Sequence, residues 1–239
     1  LCGLGIAAAR HGYQFNFEAV AQELYRVTKQ GGVVVWIVGD QTIEGSESGT
    51  SFKQALYFKK IGFKIHDTMI YMKAGPSYPS QDKYYQVFEY MFVLSKCNPI
   101  TFNPIKDREN RWYDQKWSKV RSRRNKEGVL KETTWTDPEG EKLGTRFNIW
   151  QYQVGYGHHG DEFAHKHPAS FPEELAEDHI LSWSNEGDTV LDCMMGSGTT
   201  GKMAHKHKRK FIGMEVSEEY FDIAKKRIIK AQLQLRMEL

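Results

Sequence analysis

Val190-Leu191-Asp192-Cys193-Met194-Met195-Gly196-Ser197-Gly198-Thr199-Thr200 is the stretch on which the fold turns. An apolar strand ends at a carboxylate, a Gly-x-Gly turn follows, and a threonine-led helix opens. Glycines there accept positive φ and let a ligand lie close to the backbone. The helix start leaves free N–H groups. Twelve residues beyond Thr199, Phe211-Ile212-Gly213-Met214-Glu215 reads as a second strand ending in a carboxylate. In doubly wound folds a ribose diol is held at such a position. One Gly-x-Gly alone also reads as a tight βα turn with no ligand. The spaced pair, with an acid after each strand, argues for a ligand. No Gly-x-x-x-x-Gly-Lys-Ser/Thr occurs, so this is not a nucleoside-triphosphate loop. Gly201 arrives inside the helix, and Asp192 is unlike a dinucleotide fingerprint. A nucleoside-bearing ligand with a polar head remains, and S-adenosylmethionine fits best.

Working outward, the chain alternates helix and strand. Phe17–Lys29 reads as a helix with Val20, Leu24 and Val27 on one face, ended by Gly31-Gly32. Val33–Val38 is an unbroken apolar run followed by Gly39-Asp40, the pattern of a strand buried on both faces of a parallel sheet. Thr50–Ile61 reads as a second helix, with Phe52, Leu56 and Ile61 apolar and Gly62 at its C-terminal end. His66–Met72 and Gln86–Leu94 are strand candidates, and Gly75, Pro76 and Pro79 between them allow a hairpin or flap. After a central region the rhythm resumes: helix Phe171–Trp183, strand Thr189–Cys193, helix Thr199–His207, strand Phe211–Val216, helix Glu218–Leu235. The expected fold class is α/β, a doubly wound sheet with an insertion. The expected division is 1–102, 103–147 and 148–239.

Composition bounds the function. The chain has 239 residues, is 40% hydrophobic and 13% aromatic, and sets 33 Lys+Arg against 30 Asp+Glu. A net charge of +3 does not by itself imply a nucleic-acid partner. Cys2, Cys97 and Cys193 are odd in number and far apart, which excludes a disulfide framework and suits a reducing compartment. Cys97 and Cys193 read as buried strand residues. No apolar run approaches the ~18 residues of a membrane span. Leu1–Ala9 is apolar with no basic region ahead of it, unlike a signal peptide. The start at Leu1 rather than Met suggests missing upstream sequence. His158, His159, His165, His167, His205 and His207 have no Cys or Glu spacing that completes a metal site, so none is expected. Asp40 reads either as lining a substrate pocket or as capping the next turn.

The centre differs in character. Lys106 to Lys126 holds nine Lys/Arg and three Asp/Glu, interleaved with Trp112, Tyr113 and Trp117. Lys106, Arg108, Arg111, Lys116, Lys119, Arg121, Arg123 and Arg124 are candidates to neutralise phosphates, and Trp112 and Trp117 to stack or wedge. A solvated loop is the alternative. A second cluster, Lys202, Lys206, Lys208, Arg209 and Lys210, reads as a solvated helix end.

His167-Pro168-Ala169-Ser170-Phe171-Pro172-Glu173-Glu174-Leu175, Asn185-Glu186-Gly187-Asp188, Val190–Thr200, Phe211–Tyr220 and Ala224-Lys225-Lys226-Arg227 together resemble the β class of DNA amino-methyltransferases. These methylate N6 of adenine or N4 of cytosine. In that class the chain is circularly permuted: catalytic motif, recognition insertion, then cofactor motifs. The resemblance covers roughly residues 12–235. It implies that Asp192 anchors the methionine ammonium of S-adenosylmethionine. Gly196 and Gly198 admit the cofactor to the backbone. Ser197, Thr199 and Thr200 offer hydroxyls and N–H groups, and Glu215 takes the ribose. His167, Pro168, Ser170 and Phe171 close the methionine end. The family's Phe-x-Gly is Met194-Met195-Gly196 here, and methionine packs adaptably. It also implies double-stranded DNA as partner, with a homodimer and a cognate restriction endonuclease as further candidates, in the cytoplasm of a bacterial or phage-infected cell.

One departure stands out. The family's catalytic motif pairs two prolines with an aromatic residue, so that a polar side chain and a carbonyl accept the amine hydrogens while the ring stacks on a flipped base. The seven prolines here, at 76, 79, 99, 104, 138, 168 and 172, are never adjacent. Leu1–Arg10 stands in the motif's place and does not resemble it, so the catalytic residues are unassigned. The chain is expected to be a fragment. The alternatives are a DNA- and cofactor-binding remnant without turnover, or an RNA or small-molecule methyltransferase.

Overall fold

The computed structural model describes residues 15–75, 83–111, 118–136, 141–154 and 172–237. Asn16 opens the first helix, α1 (Phe17–Val27), its side chain accepting from the Ala19 N–H at 3.1 Å. Thr28 ends the helix, and Gly31 turns the chain at φ 73°. A side chain at Gly31 would collide with Ile100. The chain then enters β1 (Val33–Val38). A small ribbon, β2 (Thr42–Ile43) and β3 (Ser46–Glu47), leads to α2 (Thr50–Lys60), and β4 (Lys64–Ala74) and β5 (Phe88–Ser95) follow.

These two strands form the predicted hairpin, Met72 opposite Phe88. The sheet order is β1-β5-β4, closed at the far edge by β10 (Ile149–Gln153), which runs parallel to β4. On the edge that is described, β1 departs from the expected parallel sheet: it pairs antiparallel with β5, Val33 opposite Ser95. A continuous apolar run reports burial on both faces, which is compatible with either strand direction.

α1 and α2 cover this sheet. Ala21, Leu24, Trp36, Ala55, Phe58, Phe63, Phe92 and Leu94 form the buried cluster. Trp36 and Phe58 meet edge-on at 5.1 Å, and the Trp36 indole N–H donates to Gln54 Oε1 at 2.7 Å. The expected apolar side of α2 is also corrected: Phe52 and Leu56 are exposed, while Ser51, Ala55 and Phe58 face inward. That helix carries large apolar residues on two sides, so size alone misassigns its buried face.

The remainder of the same unit holds α3 (Glu173–Trp183), β11 (Thr189–Asp192), α4 (Thr199–Lys206), β12 (Lys210–Gly213) and α5 (Glu218–Met237). β11 and β12 pair in parallel, Asp192 opposite Gly213, joined by α4. Ala176 and Ile180 of α3 pack on Met203 and Ala204 of α4. Cys97 is exposed in a turn at φ 69°, not within a strand, and Cys193 is partly buried just past β11. Cys2 lies outside the described residues.

The chain divides into two compact units, Leu1–Asn103 with Asn148–Leu239, and Pro104–Phe147. The second is built from two antiparallel pairs. β6 (Lys106–Glu109) pairs with β9 (Leu143–Thr145), and β7 (Ser118–Arg124) with β8 (Leu130–Thr136). The β7–β8 turn is tied by Asn125, whose side-chain carbonyl accepts from the N–H groups of Glu127 and Val129. Among the described residues, no helix is long and apolar enough to cross a membrane.

Candidate functional site

β11 delivers Asp192 to the start of the glycine turn, where it is 2% exposed. Its Oδ1 accepts from the Met194 N–H at 3.1 Å and its Oδ2 from the Thr200 hydroxyl at 2.7 Å. The carboxylate thus spans the turn and ties the strand end to the first residues of α4. Glu215 stands just beyond β12. Its Oε2 accepts from the Gly196 N–H at 2.9 Å, and its Oε1 from the N–H groups of Val216 and Ser217, both at 3.0 Å. The two predicted carboxylates therefore grip the same turn from adjacent parallel strands.

The glycines act differently from one another. Gly196 and Gly198 both have positive φ, 51° and 80°. A Cβ on Gly198 would sit 2.8 Å from the Cβ of Ala224, so this glycine admits α5 to the turn. Gly201 likewise makes room for Ile228 and Phe211. Part of what reads in the sequence as room for a ligand is room for the C-terminal helix.

That helix supplies a residue absent from the sequence-based site. Arg227, with its side chain 1% exposed, donates from Nη1 to the Ser197 carbonyl at 2.7 Å, the Ser197 hydroxyl at 3.0 Å and the Thr199 hydroxyl at 3.2 Å. Its Nη2 reaches Glu173 Oε1 at 3.0 Å, and Lys202 meets the same oxygen at 2.7 Å. A buried guanidinium needs such a counter-charge to offset its desolvation. The hydroxyls of Ser197, Thr199 and Thr200 are thus engaged with protein partners. The one signal in the sequence was Ala224-Lys225-Lys226-Arg227, where three consecutive basic residues look like a solvated face.

Other candidates separate. His167, Pro168, Ser170 and Phe171 lie outside the described residues, as do Trp112, Lys116 and Trp117. Lys119, Arg121 and Arg123 occupy alternate positions of β7, opposite Trp135, Thr133 and Lys131. Arg111 and Arg124 are exposed. Lys106 pairs with Glu141, while Arg108 donates to the Thr145 carbonyl and lies 4.7 Å from the Phe147 ring centroid.

In the second basic cluster Lys206, Lys208 and Lys210 are exposed, as expected of a solvated helix end, while Lys202 is half-buried and Arg209 is buried. Lys206 and His207 both meet Glu177, and Arg209 is buried against the Ser184 and His207 carbonyls. Burial opposes the charge of Glu177, but the bonds from Lys206 and His207 outweigh it and hold its carboxyl below the usual range. Asp40 resolves as a cap. It accepts from the Ser48 hydroxyl, the Ser51 N–H and the Ser51 hydroxyl at the start of α2. Its burial is likewise outweighed by these bonds, so its carboxyl sits below the ordinary aspartate value. Among the described residues, no cluster of His, Cys, Asp and Glu forms a metal site.

Comparison with known proteins identifies the family and the fold. The N6/N4 methyltransferase profile, described as DNA methylase, matches residues 7–226. The orphan methyltransferase M.BamHII of Bacillus amyloliquefaciens is 54% identical over 228 residues, covering 91% of this chain and 82% of its own. The type II methyltransferase M.BglII of Bacillus subtilis is 25% identical over 209 residues, covering 86% of this chain and 54% of its own. Among solved structures, the M1.HpyAVI–SAM complex superposes with a TM-score of 0.56 at 22% identity, covering 89% of this chain and 83% of its own. The cytosine-N4-specific PvuII DNA methyltransferase gives 0.58 at 18%, covering 83% and 64%. These likenesses are of fold. With the profile spanning most of its length and a relative more than half identical, the chain belongs to the DNA methylase family.

Proposed function

We propose that the turn gripped by Asp192 and Glu215 binds S-adenosylmethionine, and that the chain serves methyl transfer to an exocyclic amine, N6 of adenine or N4 of cytosine, in double-stranded DNA. The observation that carries this reading is the Gly196–Glu215 bond. It brings the glycine turn of one βα unit to the carboxylate that ends the next strand, which is where a ribose diol is held in folds of this kind. The donor set suits the ligand. Two carboxylates make the site acidic, matching a ligand that carries an ammonium and a sulfonium. When bound, S-adenosylmethionine supplies an electrophilic methyl group.

The chain's own residues bind and orient. Glu215 exchanges a backbone partner for the ribose hydroxyls. Asp192 holds the turn and directs its field at the ammonium. His167, Pro168, Ser170 and Phe171 close the methionine end. The order of parts supports a circularly permuted arrangement, with the Pro104–Phe147 unit as the DNA-recognition insertion carrying Lys106, Arg108, Arg111, Lys119, Arg121, Arg123 and Arg124.

Titration calorimetry with S-adenosylmethionine tests the site. Glu215→Gln and Asp192→Asn each remove a charged acceptor, and affinity should fall about tenfold to a hundredfold. A thermal scan of each variant should show an intact fold. Unchanged affinity in both places the cofactor elsewhere.

A second reading has its own observation: no two prolines are adjacent. On that reading the chain binds DNA and cofactor without turnover. Transfer of tritiated methyl to duplex DNA by the purified chain decides between the two.

A further inference from the structure

We propose that the β7–β8 ribbon is the element that reads DNA sequence, entering the major groove on the face that carries Lys119, Arg121, Arg123 and Lys131, with Arg121 set against a guanine. This rests on duplex DNA being the substrate, and it adds the element, the face and the groove. Among the described residues β7 and β8 form a two-stranded sheet of their own. The major groove of B-form DNA admits a two-stranded ribbon, and there each base pair shows a distinct pattern of donors and acceptors. The minor groove is about half as wide and its pattern is degenerate.

The register segregates the charges. In an antiparallel pair, residues directly opposite share a face, and alternate positions along each strand return to it. Lys119 stands opposite Trp135, Arg121 opposite Thr133 and Arg123 opposite Lys131, so these six positions share one face. Four of the six are cationic and none is acidic. The other face takes Ser118, Val120 and Ser122 with Thr136, Thr134 and Glu132, uncharged save for one carboxylate. Arg124, opposite Leu130, falls on that second face beside the turn.

The turn and the other strand pair of the unit favour the same assignment. Asn125 donates its N–H to the Val129 carbonyl at 2.9 Å, and its side-chain carbonyl accepts from the Glu127 and Val129 N–H groups at 3.1 and 2.8 Å. A turn tied in this way holds the two strands paired before DNA arrives, which lowers the ordering cost of binding. The β6–β9 pair commits its cations inside the unit: Lys106 to Glu141, Arg108 to the Thr145 carbonyl and Arg146 to Asp107. On the ribbon, Arg121 and Thr133 form the fourth of seven paired positions, the central rung. A guanidinium there has the fork that matches guanine O6 and N7, and its cross-strand neighbour is short and uncharged. The cations of the flanking rungs, Lys119, Arg123 and Lys131, are assigned to the phosphates on either side.

The test uses the full chain. Duplexes of randomised sequence are selected by retention on it, and the enriched duplex is altered one guanine at a time. 7-Deazaguanine removes the N7 acceptor of the major groove, and inosine removes the N2 amine of the minor groove. At one guanine, 7-deazaguanine should weaken binding about fivefold or more, and inosine less than about twofold. Arg121→Gln should abolish that 7-deazaguanine penalty and leave the salt slope unchanged. Arg121→Lys keeps the charge without the fork, so it should lose the penalty too while binding unselected duplex as tightly as the parent. Lys119→Gln should weaken every duplex alike, lower the magnitude of the salt slope by about 0.9 and keep the preference. Ser122→Ala, on the other face, should change neither. No enriched sequence, a preference sensitive to inosine alone, or a 7-deazaguanine penalty that survives both Arg121 variants overturns the proposal. In each of those outcomes salt-sensitive binding to duplex persists, so DNA as substrate stands. A parent chain that binds no duplex removes that reading, and the proposal with it.

Discussion

At the scale of single residues, the candidate site depends on charges that hold backbone. Arg227 is the sharpest case. It donates to the Ser197 carbonyl and to the hydroxyls of Ser197 and Thr199, while Glu173 of α3 supplies its counter-charge and shares that charge with Lys202 of α4. Arg227→Met should therefore lower stability by about 3 kcal/mol or more, because Glu173 and the Ser197 carbonyl lose a buried partner. Arg227→Lys keeps the charge but not the fork, and cannot meet Ser197, Thr199 and Glu173 together. It should fold, with cofactor affinity down about tenfold, read by calorimetry beside a thermal scan. A lysine variant that binds as tightly as the parent would show that the turn keeps its shape without the fork. The sequence made Asp192 and Glu215 legible because each ends an apolar strand at the right spacing. It hid Arg227, because the partners of a buried arginine are set by tertiary packing, and the residue follows Lys225 and Lys226 on a helix.

At the scale of elements, the alternation of helix and strand was legible from hydrophobic period, usually to within two residues at each end. What periodicity could not give was direction and face. β1 is apolar throughout, and nothing in Val33–Val38 distinguishes an antiparallel neighbour from a parallel one. The short strands of the Pro104–Phe147 unit were missed altogether, because Lys106–Glu109 and Ser118–Arg124 are mostly charged and polar and lack an apolar face. α3 shows a different kind of information. It reads as an ordinary amphipathic helix, yet it buries His179, whose ring stands 4.6 Å from that of Trp150 and whose Nε2 is 3.2 Å from the Met91 sulfur. Burial depresses the imidazole pKa to about 3. The folded state thus keeps His179 neutral, while the unfolded chain takes up a proton near its ordinary value of 6.5. The unfolded state binds more protons below that value, so the contribution is complete above pH 6.5 and is eroded as pH falls toward about 3. Stability should drop by up to about 1.4 kcal/mol per pH unit from this group. Denaturant melts between pH 7 and 5 would read the slope before most carboxylates titrate. His179→Leu should flatten it, and an unchanged slope in that variant would assign the acid sensitivity to another group.

At the scale of the whole molecule, one unit carries the turn proposed to bind the cofactor and the other holds a concentration of positive charge. A net charge of +3 concealed this, because the acidic residues are spread over the chain while nine of the basic ones fall between Lys106 and Lys126. Several basic residues elsewhere are consumed by internal ion pairs, as Lys202 and Lys206 are, and so are poor candidates for phosphate binding. Lys106 is paired too, but with an exposed Glu141, and an exposed pair is weak enough to yield to a phosphate. DNA affinity should therefore fall steeply with salt, and the slope should be carried by the Pro104–Phe147 unit. Changing Lys119, Arg121 and Arg123 to Gln in one variant should reduce the magnitude of the slope of log K against log salt by about 0.9 for each phosphate that is no longer neutralised. Cofactor affinity should stay within about twofold, since the substituted strand lies outside the unit that holds Asp192 and Glu215. Fluorescence anisotropy on a labelled duplex across a salt series, with cofactor calorimetry on the same preparations, measures both. An unchanged slope would move the DNA surface off β7, and a parallel loss of cofactor binding would mean that the two units are energetically coupled.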